Sequence, residues 1–262
     1  MRHLAFEPEP SGPEPAPGAS LGRPTDPDLA AAITRVVADD TPPDELPHLL
    51  QLIAERAADA GATAVTFEAE PASEALDVLC RSAGYEPERT TLQMRAPLPV
   101  PAERRGHPPA GGAPSLRPFR PGHDEASWLD VNRRAFAWHP EQGRWELTDL
   151  AEREWAPWFR ADGFLVHDAD GLEDRIDGFC WTKVHDDHEP PLGEIYVIGV
   201  DPDRHGRGLG RALVLAGLDW LAAAGLRIGM LYVESDNTPA LGLYRDLGFT
   251  EHLAHRWWRR DL

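Results

Sequence analysis

The stretch Gly193-Glu194-Ile195-Tyr196-Val197-Ile198-Gly199-Val200-Asp201-Pro202-Asp203-Arg204-His205-Gly206-Arg207-Gly208-Leu209-Gly210 constrains this chain most, because an apolar strand runs there straight into a glycine-rich turn. Ile195 to Val200 is rich in β-branched and aromatic residues and reads as a strand, which Asp201-Pro202 stops. Leu209 to Ala223 then repeats apolar residues at helical spacing. Main-chain N–H groups of such a turn, with the positive end of the helix that follows, form an anion cradle that needs no particular side chain. Gly206, Gly208 and Gly210 let the backbone come close, and Arg204, Arg207 and Arg211 add positive charge to a chain of formal net charge −18. A nucleotide P-loop would end in Gly-Lys-Ser/Thr, whereas this helix continues Gly210-Arg211-Ala212-Leu213. A dinucleotide fingerprint would need an acidic residue after a second strand, and the right window holds only Ala-, Gly- and Leu-rich helix. An ordinary strand–turn–helix corner fits the turn alone equally well.

With 262 residues and 42% hydrophobic content the chain can build one large or two small cores. No run approaches the ~20 apolar residues of a membrane helix, and the N-terminal residues lack the apolar core of a signal peptide, so a cytoplasmic location is expected. Cys80 and Cys180 sit in apolar segments of different predicted domains and read as buried thiols; no Cys/His spacing suggests zinc, and no metal is expected. The negative charge disfavours a nucleic-acid partner. It fits solubility, and equally the attraction of a cationic substrate.

Residues 1–43 are rich in Pro, Glu, Ala and Gly and read as mostly disordered. From Asp44 to residue 96 the pattern is helix (Glu45 to Ala60), strand (Thr63 to Glu68), helix (Ser73 to Ala83) and strand (Thr90 to Arg95). A constant offset lays Gly61 on Gly225, Leu49 on Leu213, Leu79 on Leu243, Arg81 on Arg245 and Gly84-Tyr85 on Gly248-Phe249 without a gap. Residues 97–114 form a Pro/Gly-rich linker, and residues 115–262 carry a full α/β pattern. That pattern has strands at Leu116 to Phe119, Phe164 to His167, Ile176 to Val184, Ile195 to Val200, Gly229 to Glu234 and Ala254 to Arg259. Its helices fall at Asp124 to Ala137, from Leu147 with Thr148 or Asp149 as cap, at Leu209 to Ala223, and at Pro239 to Leu247.

His205-Gly206-Arg207-Gly208-Leu209-Gly210 resembles the (Gln/Arg)-x-x-Gly-x-(Gly/Ala) pyrophosphate loop of the GNAT acyltransferases, which use acetyl-coenzyme A; the first position departs from that pattern. The stretches Gly193 to Val200, Leu231 to Asn237, Trp181 to His185 and Ala137 to Gly143 together resemble the mycothiol synthase family, closely over Leu116 to Leu262. The resemblance implies a GNAT fold, a mixed central sheet flanked by helices. It implies one complete C-terminal module, with residues 44–96 as the back half of a degenerate or truncated first one. It further implies acetyl transfer to the cysteinyl amine of a cysteine–glucosamine–inositol conjugate, a small-molecule partner, and no nucleic acid or membrane. A monomer is the expectation. Another amine acceptor, such as a peptide N-terminus or an aminoglycoside, and a non-catalytic coenzyme A sensor stay open.

Such a transfer needs a carbonyl held beside the nucleophile, an amine stripped of its proton and a leaving thiolate that regains one. By resemblance Ile198, Gly199 and Val200 hold the pantetheine, and His205 to Arg211 (His205, Gly206, Arg207, Gly208, Leu209, Gly210, Arg211) hold the pyrophosphate. Asn237, which should also cap a helix, lines the same arm with Thr238, Pro239, Ala240, Leu241 and Gly242. Glu194, a carboxylate in an otherwise apolar strand, is the expected base, and Tyr244, with a phenol of unperturbed pKa ~10, the expected acid. Each also reads as a structural residue, Glu194 as a solvated strand end and Tyr244 as core. Glu141, Lys183, Glu194 and Tyr232 match the acceptor-binding positions and suit a polyol with one amine. Trp138, Trp145, Trp155, Trp158 and Trp181 read mostly as core, with a sugar-stacking wall as the alternative.

Overall fold

The computed structural model describes residues 44–106, 112–137, 142–169 and 175–262. In chain order the elements are α1 (Leu46–Asp59), β1 (Ala64–Ala69), α2 (Glu74–Ser82), β2 (Glu86–Pro97), β3 (Leu116–Pro118), α3 (Glu125–Ala135) and α4 (Leu147–Glu154). They continue with β4 (Phe164–Asp168), β5 (Ile176–His185), β6 (Leu192–Val200), α5 (Leu209–Ala223), β7 (Ile228–Glu234), α6 (Thr238–Asp246) and β8 (Thr250–Asp261). Contacts divide the described residues into two units, one formed by residues 44–93, Val233–Asp236 and Glu251–Leu262, the other by the described residues of 94–232 and Asn237–Thr250. The expected disordered segment 1–43 lies outside the described residues.

In the first unit α1 buries Leu46, Leu50, Ile53, Ala54 and Ala57, the face that its sequence spacing sets. Ser73 caps α2 by accepting from the Leu76 N–H at 3.2 Å. β1 turns Val65, Phe67 and Ala69 inward and pairs antiparallel with β8, from Ala64↔Asp261 to Ala69↔Arg256. Trp258 of β8, at 0% exposure, completes a core with Leu50, Ile53, Val65 and Tyr85. The sequence reading kept Ala254 to Arg259 within the module 115–262; the strand runs over Thr250–Asp261, and from Glu251 onward it belongs to the first unit. The buried indole and the ladder to β1 account for that. The offset taking Gly61 to Gly225 carries Glu74 and Ser82, the ends of α2, onto Thr238 and Asp246, the ends of α6. It likewise carries Glu86 and Pro97, the ends of β2, onto Thr250 and Asp261, the ends of β8.

In the second unit the sheet order is β7-β6-β5-β4-β3. β6 and β7 are parallel, and the other neighbours are antiparallel. Successive residues of a strand face opposite ways, and β5 uses both faces. Cys180 faces α5 so closely that a Cβ added at Gly217 would stand 2.6 Å from its Sγ and 2.8 Å from Ile195 Cδ1. On the other face Phe179 and Trp181 enter an aromatic core with Trp128, Trp145 and Leu150. There Phe164 is stacked between Phe119 and Trp181, at 4.3 and 4.4 Å. Trp145 and Trp181 are therefore core, as the sequence suggested, whereas Trp155 is 86% exposed and Trp138 lies outside the described residues. Both cysteines are buried and free. The start of α4 departs from expectation: Glu146 is its N-cap, and its N–H donates to Asp149 Oδ2 at 2.7 Å, so Asp149 serves the cap from inside the helix.

The close seat of α5 predicts that Gly217→Ala overpacks the helix–sheet contact and lowers the unfolding free energy by about 1–3 kcal/mol in urea titrations. Gly242→Ala, at a site with open space around it, leaves stability within about 0.5 kcal/mol or raises it. A pH dependence follows from Asp124, buried at 1% exposure. Burial pushes its carboxyl up, but hydrogen bonds from the Arg120 and Arg117 guanidinium groups and the Arg120 N–H prevail and hold it well below the usual carboxylate range. Its folded pKa lies under the unfolded one, so its stabilisation is present at neutral pH and fades as pH falls below about 4. Asp124→Asn should flatten that acid-side loss in chemical denaturation measured across pH.

Candidate active site

The loop after β6 is built on two buried carboxylates. Asp201, at 2% exposure, accepts from the Asp203 N–H at 2.9 Å and pairs with Arg134 at 2.9 Å. Asp177, also 2% exposed, takes Arg204 at 2.5 Å. Arg204 is thus an anchor of the loop rather than free positive charge. The His205 ring lies 3.0 Å from the Val200 carbonyl, and its N–H donates to Pro202 O at 3.3 Å. The turn itself thus uses the main-chain N–H of His205.

Gly206 and Gly208 adopt φ of +75° and +82°, which a side chain rarely tolerates. Gly208 caps α5 in the left-handed conformation, and the first N–H groups of the helix have no helical carbonyl to bond. They open beside a cleft of ≈680 Å³ whose lining includes Gly206, Arg207, Gly208, Arg211 and Arg105. Arg207 is exposed. Arg211 is turned onto the carbonyls of Arg104 at 2.8 Å and Arg105 at 3.3 Å, so it pins residues of the expected linker. Arg105 in turn pairs through both guanidinium nitrogens with Asp219, at 2.8 and 2.5 Å. What this turn can offer an anion is therefore backbone N–H, the helix start and Arg207.

Beside this loop the parallel register of β6 with β7 runs from Gly193↔Gly229 to Ile195↔Leu231. β6 continues to Val200 on its other neighbour, with Ile198↔Cys180, Gly199↔Phe179 and Val200↔Gly178. Ile198 and Val200 are half-buried and Gly199 is buried. On the far side of the gap Asn237 caps α6 as expected, accepting from the Ala240 N–H at 3.3 Å. Of the residues expected in that arm, Thr238, Pro239 and Gly242 are exposed, Ala240 is half-buried, and Leu241 is buried in the helix interior face.

Glu194 is 6% exposed and stands opposite Lys183 in the β5–β6 register, so the two side chains share a face. Lys183 Nζ lies 4.8 Å over the Trp158 ring and 5.4 Å from that of Tyr196. Tyr196 Oη accepts from Arg153 Nε at 3.1 Å, and the Arg153 guanidinium stacks 3.9 Å above Trp145. Glu194 Oε2 meets His185 Nε2 at 2.7 Å. His185 was quoted within a motif but given no role; it lies two residues beyond Lys183 on the same strand face, and that alternation was the available signal. Met230 is opposite Glu194, so Tyr232, 42% exposed, projects two residues further on that face. Tyr244 occupies a different setting, 6% exposed and 5.9 Å from the Phe249 ring. Burial, with a smaller contribution from Cys180, pushes its phenol well above the usual tyrosine range. Glu141 lies outside the described residues.

A strand that leaves its parallel neighbour and feeds a glycine turn at a helix start is the hallmark of the GNAT acyltransferases, and the chain has that fold. Residues 130–249 match the family model described as "Acetyltransferase (GNAT) family". A GCN5-related N-acetyltransferase from Sphaerobacter thermophilus superposes with TM-score 0.63 at 24% identity, covering 81% of this chain and 66% of the other. A tandem GNAT protein from the clavulanic acid biosynthesis pathway superposes at 0.54 and 18% identity, covering 82% and 69%. Among curated relatives, a mycothiol acetyltransferase from Acidimicrobium ferrooxidans is 49% identical over 167 residues, 63% of this chain and 52% of the relative. A mycothiol acetyltransferase from Geodermatophilus obscurus is 50% identical over 186 residues, 70% and 59%. The chain thus spans a little over half the length of the curated relatives it matches.

The raised phenol predicts that Tyr244 keeps its proton where ordinary tyrosines, near pKa 10, have lost theirs. In ultraviolet titration, wild type minus Tyr244→Phe should show no phenolate absorbance up to about pH 11.

Proposed function

We propose that this chain transfers acetyl from acetyl-coenzyme A to the cysteinyl amine of a cysteine–glucosamine–inositol conjugate, in the manner of a mycothiol synthase. The observation that carries the reading is Glu194, a buried carboxylate on the one face that also presents Lys183, at the point where β6 parts from β7. The near-50% identity to mycothiol acetyltransferases supports the choice of acceptor. The positively φ-twisted Gly206 and Gly208, the helix start and the ≈680 Å³ cleft fit a diphosphate. The edge of β6 at Ile198, Gly199 and Val200 fits the amide-bearing pantetheine arm. Bound acetyl-coenzyme A supplies an activated acyl group. The offset between α2–β2 and α6–β8 supports reading residues 44–96 as a partial first module.

In this mechanism Glu194 accepts the proton that the acceptor ammonium must lose before its nitrogen can attack. Lys183 donates to hydroxyl oxygens of the acceptor, and Tyr232 orients it from the neighbouring strand. Tyr244 returns a proton to the sulfur as the carbon–sulfur bond breaks. Both partners occupy one cleft, and no covalent enzyme intermediate is needed. No helix among the described residues is long and apolar enough to cross a membrane.

The test is acetyl-coenzyme A turnover read by mass spectrometry of the acetylated product, against the conjugate, a peptide amine and an aminoglycoside. Acetylation confined to the conjugate is expected. Glu194→Gln and Tyr244→Phe should each lower kcat/KM by about 10²–10⁴ while coenzyme A still binds. Preference for the peptide or the aminoglycoside would reassign the acceptor. Coenzyme A binding without turnover of any amine would make the chain a sensor.

A further inference from the structure

The turn between β5 and β6 gathers three side chains that the transfer reaction leaves without a role. His185, Asp187 and His188 each offer one ligand atom, and these atoms lie within 4.8 Å of one another. We propose that this turn binds a divalent transition-metal ion of the zinc class. Two imidazoles and a carboxylate are the donor set such an ion prefers over magnesium or calcium, which take oxygen ligands.

The anchor of the site is already set. His185 is held from behind by Glu194, whose Oε2 lies 2.7 Å from its Nε2 and whose side chain is only 8% exposed. A buried carboxylate behind a metal-bound imidazole fixes the ring and its tautomer and raises its basicity. Asp187 and His188 are exposed, with the His188 ring 5.9 Å from that of His185. Tetrahedral zinc needs ligand atoms about 3.3 Å apart, so closure asks only for rotation of two solvent-exposed side chains. A fourth position stays open to water.

The other such grouping among the described residues, Glu68, Glu70 and His255, is already closed on itself. There the histidine ring nitrogens face the two carboxylates at 2.7 and 3.3 Å. In the β5–β6 turn, by contrast, two ligands face solvent and the third is fixed.

Calorimetric titration of tag-free full chain with zinc chloride, and cobalt(II) titration followed by visible absorption, test the site. One ion per chain and a tetrahedral cobalt band are expected. The double variant Asp187→Asn/His188→Gln should fold as wild type does and bind at least about tenfold more weakly. No binding, or equal binding by the double variant, would overturn the site. A metal-free chain that acetylates nothing counts against the transfer reading, and the titrations then decide the site alone.

Discussion

The close packing of α5 on the sheet is the constraint on which the second unit depends. Gly217 on the helix meets Cys180 and Ile195, and Gly178 and Gly193 on the strands meet Leu209, Leu213 and Leu221. With a side chain absent at each crossing, the helix can lie against β5 and β6 at a separation that a Cβ would forbid. This fixes the direction of the helix start, and with it the orientation of the first N–H groups of α5, which have no intrahelical carbonyl to bond. An anion site made of backbone has no side-chain rotamers to adjust, so its geometry is only as good as the seat of the helix that supplies it.

Electrostatics reinforce the same end of the sheet. In a chain of net charge −18, a loop rich in arginine invites the reading that its cations wait for a ligand. Instead Asp177 and Asp201, both buried, claim Arg204 and Arg134, because a buried carboxylate is costly unless paired. The arginines neutralise the protein's own acids first, and the loop is rigid as a result. What remains for an anion is Arg207 and the amides, a division of labour that leaves the cradle selective for a group able to reach the backbone.

The sequence disclosed those parts of the structure that depend on local pattern. The bounds of α5, Leu209 and Ala223, coincide with the expected ones, since apolar spacing and the flanking glycines decide them. Asn237 is the cap its chemistry suggests. The destinations of long side chains were not legible: Arg211 folds back onto Arg104 and Arg105, residues far away in the chain. Nor was the assignment of β8, whose alternation describes a strand but not its partner; only a core that needs Trp258 chooses β1.

His185 shows the same limit at the site. Taken alone, the run Trp181 to His185 is a strand with one cation and one imidazole. Register and a bulge together turn it into a local unit: Lys183 pairs with Glu194, and the register shift between Trp181 and Thr182 leaves Tyr196 as the extra residue of β6. Trp181, Lys183 and His185 on β5 thereby meet Glu194 and Tyr196 on β6. Trp181 packs edge-on against Tyr196 at 5.5 Å, and His185 lies 2.7 Å from the carboxylate. The surroundings of Glu194 are therefore set by strand register, a property that belongs to neither strand by itself.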